Sequence, residues 1–434
     1  MSLTETSTER LISPARNVSG SLSLPGDKSI SHRYALLGGL AHGKTRLTNF
    51  STGADCASSL RCVEALGAKV TRDGSNVEIE GVGGRFRATS EPLDCGNSGS
   101  TMRMLSGLLA PQERSYTLVG DESLSRRPME RIRKPLAQMG ARIELTEGHA
   151  PVTIQGAKLT AIDYATPVPS AQVKSAVLFA GLQTKGQTMV RETVRTRDHS
   201  ELALRGFGAT IERTLESVSI EGPQQLQGFE GAVPGDISSA AFFLCAASLF
   251  PESNLIFDGL GLNPTRATLL DALTALGAHI GVLNLEEQHG ELVGTVQVNA
   301  PKDGLTGTTI SGALAAQLID ELPVLAAIGP YTRNGIRIRD AKELRVKESD
   351  RIALVAENLR AMGAEVVEFE DGLDVPGGQQ LHAAEINSGG DHRIAMAFSV
   401  AALRATGQTL IRGAESAAIS FPEFFDLLER VTER

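Results

Sequence analysis

The chain has 434 residues, 41% of them hydrophobic and 21% charged, with a net charge of −9 and a pI near 5.5. That length accommodates two or more domains with cores of their own, in a globular composition. The acidic balance argues against a nucleic-acid or anionic-membrane surface, while a local basic cluster inside an acidic shell can still bind a small anion.

In chain order, Met1 to Pro14 holds no apolar signal core and no transit-like composition, so the cytoplasm is the expected compartment. Val18 to Leu24 alternates Ser with Val or Leu, as a strand does, and enters a Pro25-Gly26 turn. Ser29 to Leu40 then reads as a helix. Lys28 sits just before it, Ser29 can cap it, and Arg33 follows Ser29 by four on the same face. An anion here would meet backbone N–H groups, a hydroxyl, an ammonium and a guanidinium together. An ordinary capped helix with solvated charges is the alternative.

One short phrase then recurs: a helix end, Gly-Ala, any residue, and Val or Ile. It occurs at Gly67, Gly140, Gly208, Gly277 and Gly363. The glycine suits a left-handed C-cap, and a strand follows, usually as the first arm of a hairpin (Lys69–Arg72 with Asn76–Glu80, for example). The unit is mixed α/β of roughly 70 residues, and six would fill the chain as two domains of three. The sixth, C-terminal unit lacks the phrase. A boundary is expected near Gly231-Ala232-Val233-Pro234-Gly235. The longest apolar run, Ala240 to Phe250, is too short to span a bilayer. Without Trp, the cores must be built from Leu, Ala, Val and Ile. The four cysteines, Cys56, Cys62, Cys95 and Cys245, show neither CxxC nor zinc-like spacing, and a disulfide framework is not expected.

The chemistry-bearing stretches fall at predicted helix starts: Ser29; Asn97 to Thr101 before Met102–Leu109; Ser170-Ala171-Gln172 before Val173–Leu182; Asp236. Pro264-Thr265-Arg266, Asp320, Lys347 to Arg351, and Gly389 to Arg393 follow the same pattern. Arg126-Arg127 and Arg197 add guanidinium groups in loops. Helix N-termini carry partial positive charge and unpaired donors, so several aimed at one cleft would trap anions. Each piece also has an ordinary reading: Asp236 and Asp320 as N-caps, Lys347 to Arg351 as a solvated face, His392 as structural. No dinucleotide fingerprint, phosphate loop, HExxH, GxSxG or metal site is present.

Taken together, Leu24-Pro25-Gly26-Asp27-Lys28-Ser29-Ile30-Ser31-His32-Arg33, Asp94-Cys95-Gly96-Asn97-Ser98-Gly99-Ser100-Thr101-Met102-Arg103, Arg345-Val346-Lys347-Glu348-Ser349-Asp350-Arg351 and Asp391-His392-Arg393 resemble the 5-enolpyruvylshikimate-3-phosphate synthase family. The resemblance runs from about residue 12 to the C-terminus. It implies an α/β fold of two similar domains, each of three βαβαββ-type repeats in an inside-out α/β barrel, closing over a cleft. One lobe would span 23–232, the other 1–22 plus 233–434. The implied reaction moves the enolpyruvyl group of phosphoenolpyruvate to the 5-hydroxyl of shikimate 3-phosphate and releases phosphate. The implied enzyme is a monomer with no metal or organic cofactor and no nucleic-acid or membrane partner.

By resemblance, Lys28, Ser29, Arg33, Ser170, Ala171, Gln172, Arg197, Asp320 and Lys347 would hold shikimate 3-phosphate. Lys28, Gly99, Arg127, Gln172, Arg351 and Arg393 would hold phosphoenolpyruvate. Asp320 is the base expected at the hydroxyl, Glu348 and Lys28 the groups expected to move protons at C3, and Asp55 and Asn97 contacts to the tetrahedral intermediate. The chain departs from many members at Ala171, where they carry Ser, and at Ile419, where they carry Lys before Thr/Ser-Phe-Pro. Several segments resemble the branch that includes glyphosate-tolerant enzymes. The rivals are the related UDP-N-acetylglucosamine enolpyruvyl transferase, whose loop cysteine has no counterpart between Cys95 and Cys245, and a non-catalytic phosphometabolite-binding relative.

Overall fold

The computed structural model describes residues 8–434. The first seven residues, which open both the Met1–Pro14 stretch and the 1–22 segment, lie outside the described residues. The chain divides into two compact units. The early unit comprises Pro25–Val233 and Glu287–Glu291; the late unit comprises Met1–Leu24, Pro234–Glu286 and Leu292–Arg434.

Each unit puts helices inside and sheets outside. In the early unit the helices Lys28–Leu40, Gly99–Leu109 and Ala171–Gly181 form the centre. The first of them carries Ser31, His32 and Arg33 among its apolar residues, and all of its residues from Ile30 to Leu40 are buried. Small residues let the helices approach closely: a Cβ on Gly107 would stand 2.2 Å from the Ala176 carbonyl oxygen. In the late unit Ile237–Ala247, Leu322–Ile328 and His392–Ala402 take the same part, with every residue buried.

The sheets repeat one plan. Leu93–Asp94 lies parallel to Ser115–Val119, with His149–Gln155 and then Arg142–Thr146 added antiparallel. A parallel pair needs a crossover helix and an antiparallel pair only a hairpin, which sets the β-α-β-α-β-β order of each repeat. The same order builds Asp163–Ala165, Gly186–Arg191, Ser217–Gly222, Ile211–Arg213, and again Thr308–Ile310, Ile336–Ile338, Gly372–Val375, Val367–Phe369. The recurrent glycines have φ of +110° at Gly67, +110° at Gly140, +89° at Gly208, +101° at Gly277 and +85° at Gly363. Their helices therefore end in the left-handed turn that glycine adopts without strain.

Two strands trade units. Asn17–Ser23, which leads into the Lys28 helix, pairs in the late unit with Asn254–Gly261. Glu230–Ala232, which leads into the Ile237 helix, pairs in the early unit with Lys44–Thr48. The sixth repeat lacks the Gly-Ala phrase because it makes no hairpin of its own. Its strand Thr409–Arg412 pairs with Glu385–Asn387 and, antiparallel, with the N-terminal Glu9–Ile12.

Two expected helix starts are corrected. The helix predicted to open at Pro264 begins at Thr268, because Asn263 caps a separate turn: its side chain accepts from Thr265 N at 2.8 Å and its carbonyl from the N–H groups of Arg266 and Ala267. Asp320 is no N-cap. The helix begins at Leu322, and Asp320 sits in the turn before it.

Candidate functional site

In the early unit, three helix starts carry the charged groups. Asp27, rather than the expected Ser29, caps the first, its Oδ1 accepting from Ile30 N at 2.9 Å, so Lys28 is the first helical residue instead of preceding the helix. Lys28 Nζ lies 3.2 Å from Oδ2 of Asp55, itself in the first turn of Ala54–Ala65. The other carboxylate oxygen, Asp55 Oδ1, is buried without a hydrogen bond, so it remains an acceptor in a place where unmet acceptors are costly. One turn further on, Arg33 is buried and donates to Ser29 O at 2.7 Å, Ser200 Oγ at 2.7 Å and Ser175 Oγ at 3.1 Å. Burial pulls its pKa down to about 10, which Glu201, Asp27 and Glu291 only partly oppose and Arg197 reinforces. Its three hydrogen-bond acceptors are all uncharged.

Ser98 caps the second helix, accepting from Thr101 N at 3.0 Å. Just before it, Asn97 bridges two groups: its Nδ2 donates to Asp121 Oδ2 at 2.7 Å and its Oδ1 accepts from Arg127 Nη2 at 2.6 Å. Arg126 and Arg127, adjacent in sequence, part company: Arg127 is buried against this loop, while Arg126 is exposed and pairs with Glu122. Gly99 opens the helix, where an added Cβ would lie 3.1 Å from Arg103 Nη1 and 3.4 Å from Arg127 Nη1. Ser170 caps the third helix, accepting from Val173 N at 3.3 Å, and Ala171 is its first residue. Gln172 ties the second and third helices together, accepting from Arg103 Nη1 at 2.6 Å and donating to Ser100 Oγ at 2.9 Å.

A buried chain of polar groups joins these starts from beneath. His32 Nδ1 is 2.8 Å from Ser59 Oγ, Ser59 is 2.7 Å from Thr101 Oγ1, and Thr101 donates to Ser98 Oγ at 2.8 Å. Burial holds His32 well below its ordinary pKa of 6.5, and Lys28 and Arg33 push the same way.

In the late unit the anchor is Asp391, fully buried at the start of the His392–Ala402 helix. Its Oδ1 accepts from Arg393 N at 2.9 Å and Arg351 Nη2 at 3.2 Å; its Oδ2 accepts from Arg351 Nε at 2.8 Å and Ser349 Oγ at 2.9 Å. Arg351 Nη2 also donates to Glu348 Oε2 at 2.6 Å. Burial alone would lower the Arg351 pKa, but Asp391, Glu348 and Asp320 outweigh it and hold it above its ordinary value. Burial would likewise raise Asp391, and Arg351 holds it below 3.8 instead.

Asp320 faces three cations, its Oδ1 lying 3.6 Å from Arg351 Nη1, 3.9 Å from Lys347 Nζ and 3.9 Å from Arg393 Nε. Arg393 Nη1 donates to Asp320 O at 2.8 Å. Alongside, Arg266 reaches Asp236 and Ser238, and Ser238 donates to Glu321, so the starts of all three central helices are cross-linked here too. Ile419, half-buried, ends the Ala414–Ile419 turn.

Most residues singled out from the sequence thus lie at or beside helix starts of one unit or the other, while Arg126 is exposed and Ile419 ends a separate turn. The sequence reading gave no role to Asp391, although an Asp heading a helix after Gly389-Gly390 is a capping signal. It also gave none to Arg103, one turn past Gly99. Among the described residues no group of three His, Cys, Asp or Glu could hold a metal ion, and no helix is long and apolar enough to cross a membrane.

Fold and site together define a two-unit α/β protein with cation-lined helix starts suited to small polyanions. The EPSP synthase (3-phosphoshikimate 1-carboxyvinyltransferase) family matches residues 12–428. The 3-phosphoshikimate 1-carboxyvinyltransferase of Koribacter versatilis (strain Ellin345) is 65% identical over 424 residues, covering 98% of this chain and 99% of that one. The protein of the same name from Solibacter usitatus (strain Ellin6076) is 54% identical over 427 residues, with 98% and 100% covered. The solved EPSP synthase of Acinetobacter baumannii superposes with a TM-score of 0.85 at 38% identity, covering 98% of each chain. The chain belongs to the EPSP synthase family.

Proposed function

We propose that this chain transfers the enolpyruvyl group of phosphoenolpyruvate to the 5-hydroxyl of shikimate 3-phosphate, releasing phosphate. The observation that carries this reading is a family match spanning both clusters of helix starts, residues 12–428. Both substrates are polyanions, and two sets of amide dipoles, ammonium and guanidinium groups suit them.

Ser29, Arg33, Ser170, Ala171, Gln172, Arg197, Asp320 and Lys347 are assigned to shikimate 3-phosphate. Lys28, Gly99, Arg127, Gln172, Arg351 and Arg393 are assigned to phosphoenolpyruvate. In the addition, the hydroxyl oxygen attacks C2 and its proton passes to Asp320, while C3 gains a proton from Lys28 or Glu348. The elimination removes a proton from C3 and expels phosphate from C2. The Lys28–Asp55 salt bridge, at 3.2 Å, sets a proton donor beside an acceptor, as proton traffic in both directions needs, while Arg351, at 2.6 Å, fixes the Glu348 carboxylate in position. Asp55, with an unmet buried oxygen, and Asn97 contact the tetrahedral intermediate.

The chain acts as a monomer in the cytoplasm, a compartment that suits four free, buried cysteines. A phosphate-release assay tests the reading. Phosphoenolpyruvate with shikimate 3-phosphate should release phosphate, and phosphoenolpyruvate with UDP-N-acetylglucosamine should not. The reverse pattern assigns the rival transferase, and release with neither leaves a binding protein.

A further inference from the structure

Lys174 and Ser175 are neighbours on the Ala171–Gly181 helix, and Ser200 and Glu201 are neighbours on His199–Gly206. Two contacts of opposite kind join them. Lys174 Nζ lies 2.8 Å from Glu201 Oε1 and 2.9 Å from Glu192 Oε2. Beside that charged contact, Ser175 and Ser200 share a hydrogen bond of 2.5 Å. All four side chains are buried. Arg33 lies on the hydroxyl contact, donating to Ser200 Oγ, Ser175 Oγ and the Ser29 carbonyl, so each acceptor is uncharged. Glu201 is the carboxylate that acts most strongly on Arg33, and it is engaged by Lys174.

We propose that Ser200 and Ser175 are positioning residues that seat Arg33 on neutral acceptors, leaving its charge for an anionic group of shikimate 3-phosphate. The Lys174–Glu201 pair makes the seat possible by holding the nearby carboxylate away. This rests on the reading that Arg33 holds that substrate.

Calorimetric titration with shikimate 3-phosphate, together with KM for both substrates, tests it. Ser200→Ala should weaken shikimate 3-phosphate binding about tenfold, the size expected for one hydrogen bond to a charged group, and leave KM for phosphoenolpyruvate unchanged. Ser200→Thr, which keeps the hydroxyl, should restore the affinity. Ser200→Asp should weaken it on the order of a hundredfold, because a carboxylate would capture the guanidinium. If Ser200→Asp does not fold, Ser175→Ala carries the test with the same selective loss. The seat is refuted if folded Ser200→Ala shifts both KM values together or leaves shikimate 3-phosphate affinity intact. A wild-type chain that neither binds nor turns over shikimate 3-phosphate refutes the functional reading itself, and this proposal with it.

Discussion

Arg33 in the early unit and Arg351 in the late unit are both buried near helix starts, yet their surroundings differ in kind. Arg33 rests on two hydroxyls and a carbonyl. Arg351 rests on Asp391 and Glu348, with Asp320 at 3.6 Å. Burial wins at Arg33 and lowers its pKa; the carboxylates win at Arg351 and raise it. The difference separates two uses of one side chain. On the proposed function, a guanidinium seated on neutral acceptors is available to an incoming anion, while one matched by carboxylates fixes the backbone around it and offers a ligand only its remaining hydrogens.

Several substitutions would break or sharpen that contrast. The largest effect is expected at Asp391→Asn, which leaves a buried guanidinium partly uncompensated and should cost about 3–5 kcal/mol of stability by urea unfolding. A loss under about 1 kcal/mol would mean that Arg351 does not depend on its anchor. Arg33→Met should do the opposite: stability held or raised, and kcat/KM for shikimate 3-phosphate down on the order of 10²–10³-fold. If Arg33→Met unfolds the protein as Asp391→Asn does, the two arginines are alike and the contrast fails.

A smaller effect concerns pH. His32 is held well below 6.5 by burial and by Lys28 and Arg33, so the unfolded chain takes up its proton first as pH falls. Stability should therefore decline below about pH 6.5, by at most about 1.4 kcal/mol per unit, and His32→Asn should flatten that slope. Parallel curves for variant and wild type would show that His32 is charged in the fold. The smallest effect is at Gly99→Ala. A Cβ at 3.1 Å from Arg103 Nη1 and 3.4 Å from Arg127 Nη1 meets the ends of flexible side chains, so they can give way. We expect KM for phosphoenolpyruvate to rise about three- to tenfold, with KM for shikimate 3-phosphate steady. A rise confined to shikimate 3-phosphate would place Gly99 beside the other substrate.

The repeat was legible because each Gly-Ala phrase marks a backbone event, a left-handed helix end followed by a strand, that local sequence dictates. Helix starts were legible for the same reason: Ser98, Ser170, Asp236 and Asp391 cap their own helices within three residues. What stayed hidden depends on distant pairing. No local pattern says that Glu9–Ile12 completes the sheet of Thr409–Arg412, or that Asn17–Ser23 lies beside Asn254–Gly261. The polarity of the two arginine seats was hidden likewise. Ser175 and Ser200 read as unremarkable helix residues until the fold sets them 2.5 Å apart under Arg33.

The exchanged strands bear on the order in which the chain can be made. The early unit waits for Glu230–Ala232 to emerge from the ribosome before Lys44–Thr48 gains its parallel neighbour. The late unit joins distant parts of the chain, since Thr432–Glu433 pairs with Asn17–Val18, so that pairing forms only after both have been made. Until Asn254–Gly261 has been made, Asn17–Ser23, already translated, lacks its parallel partner, and the newborn chain carries an open strand edge.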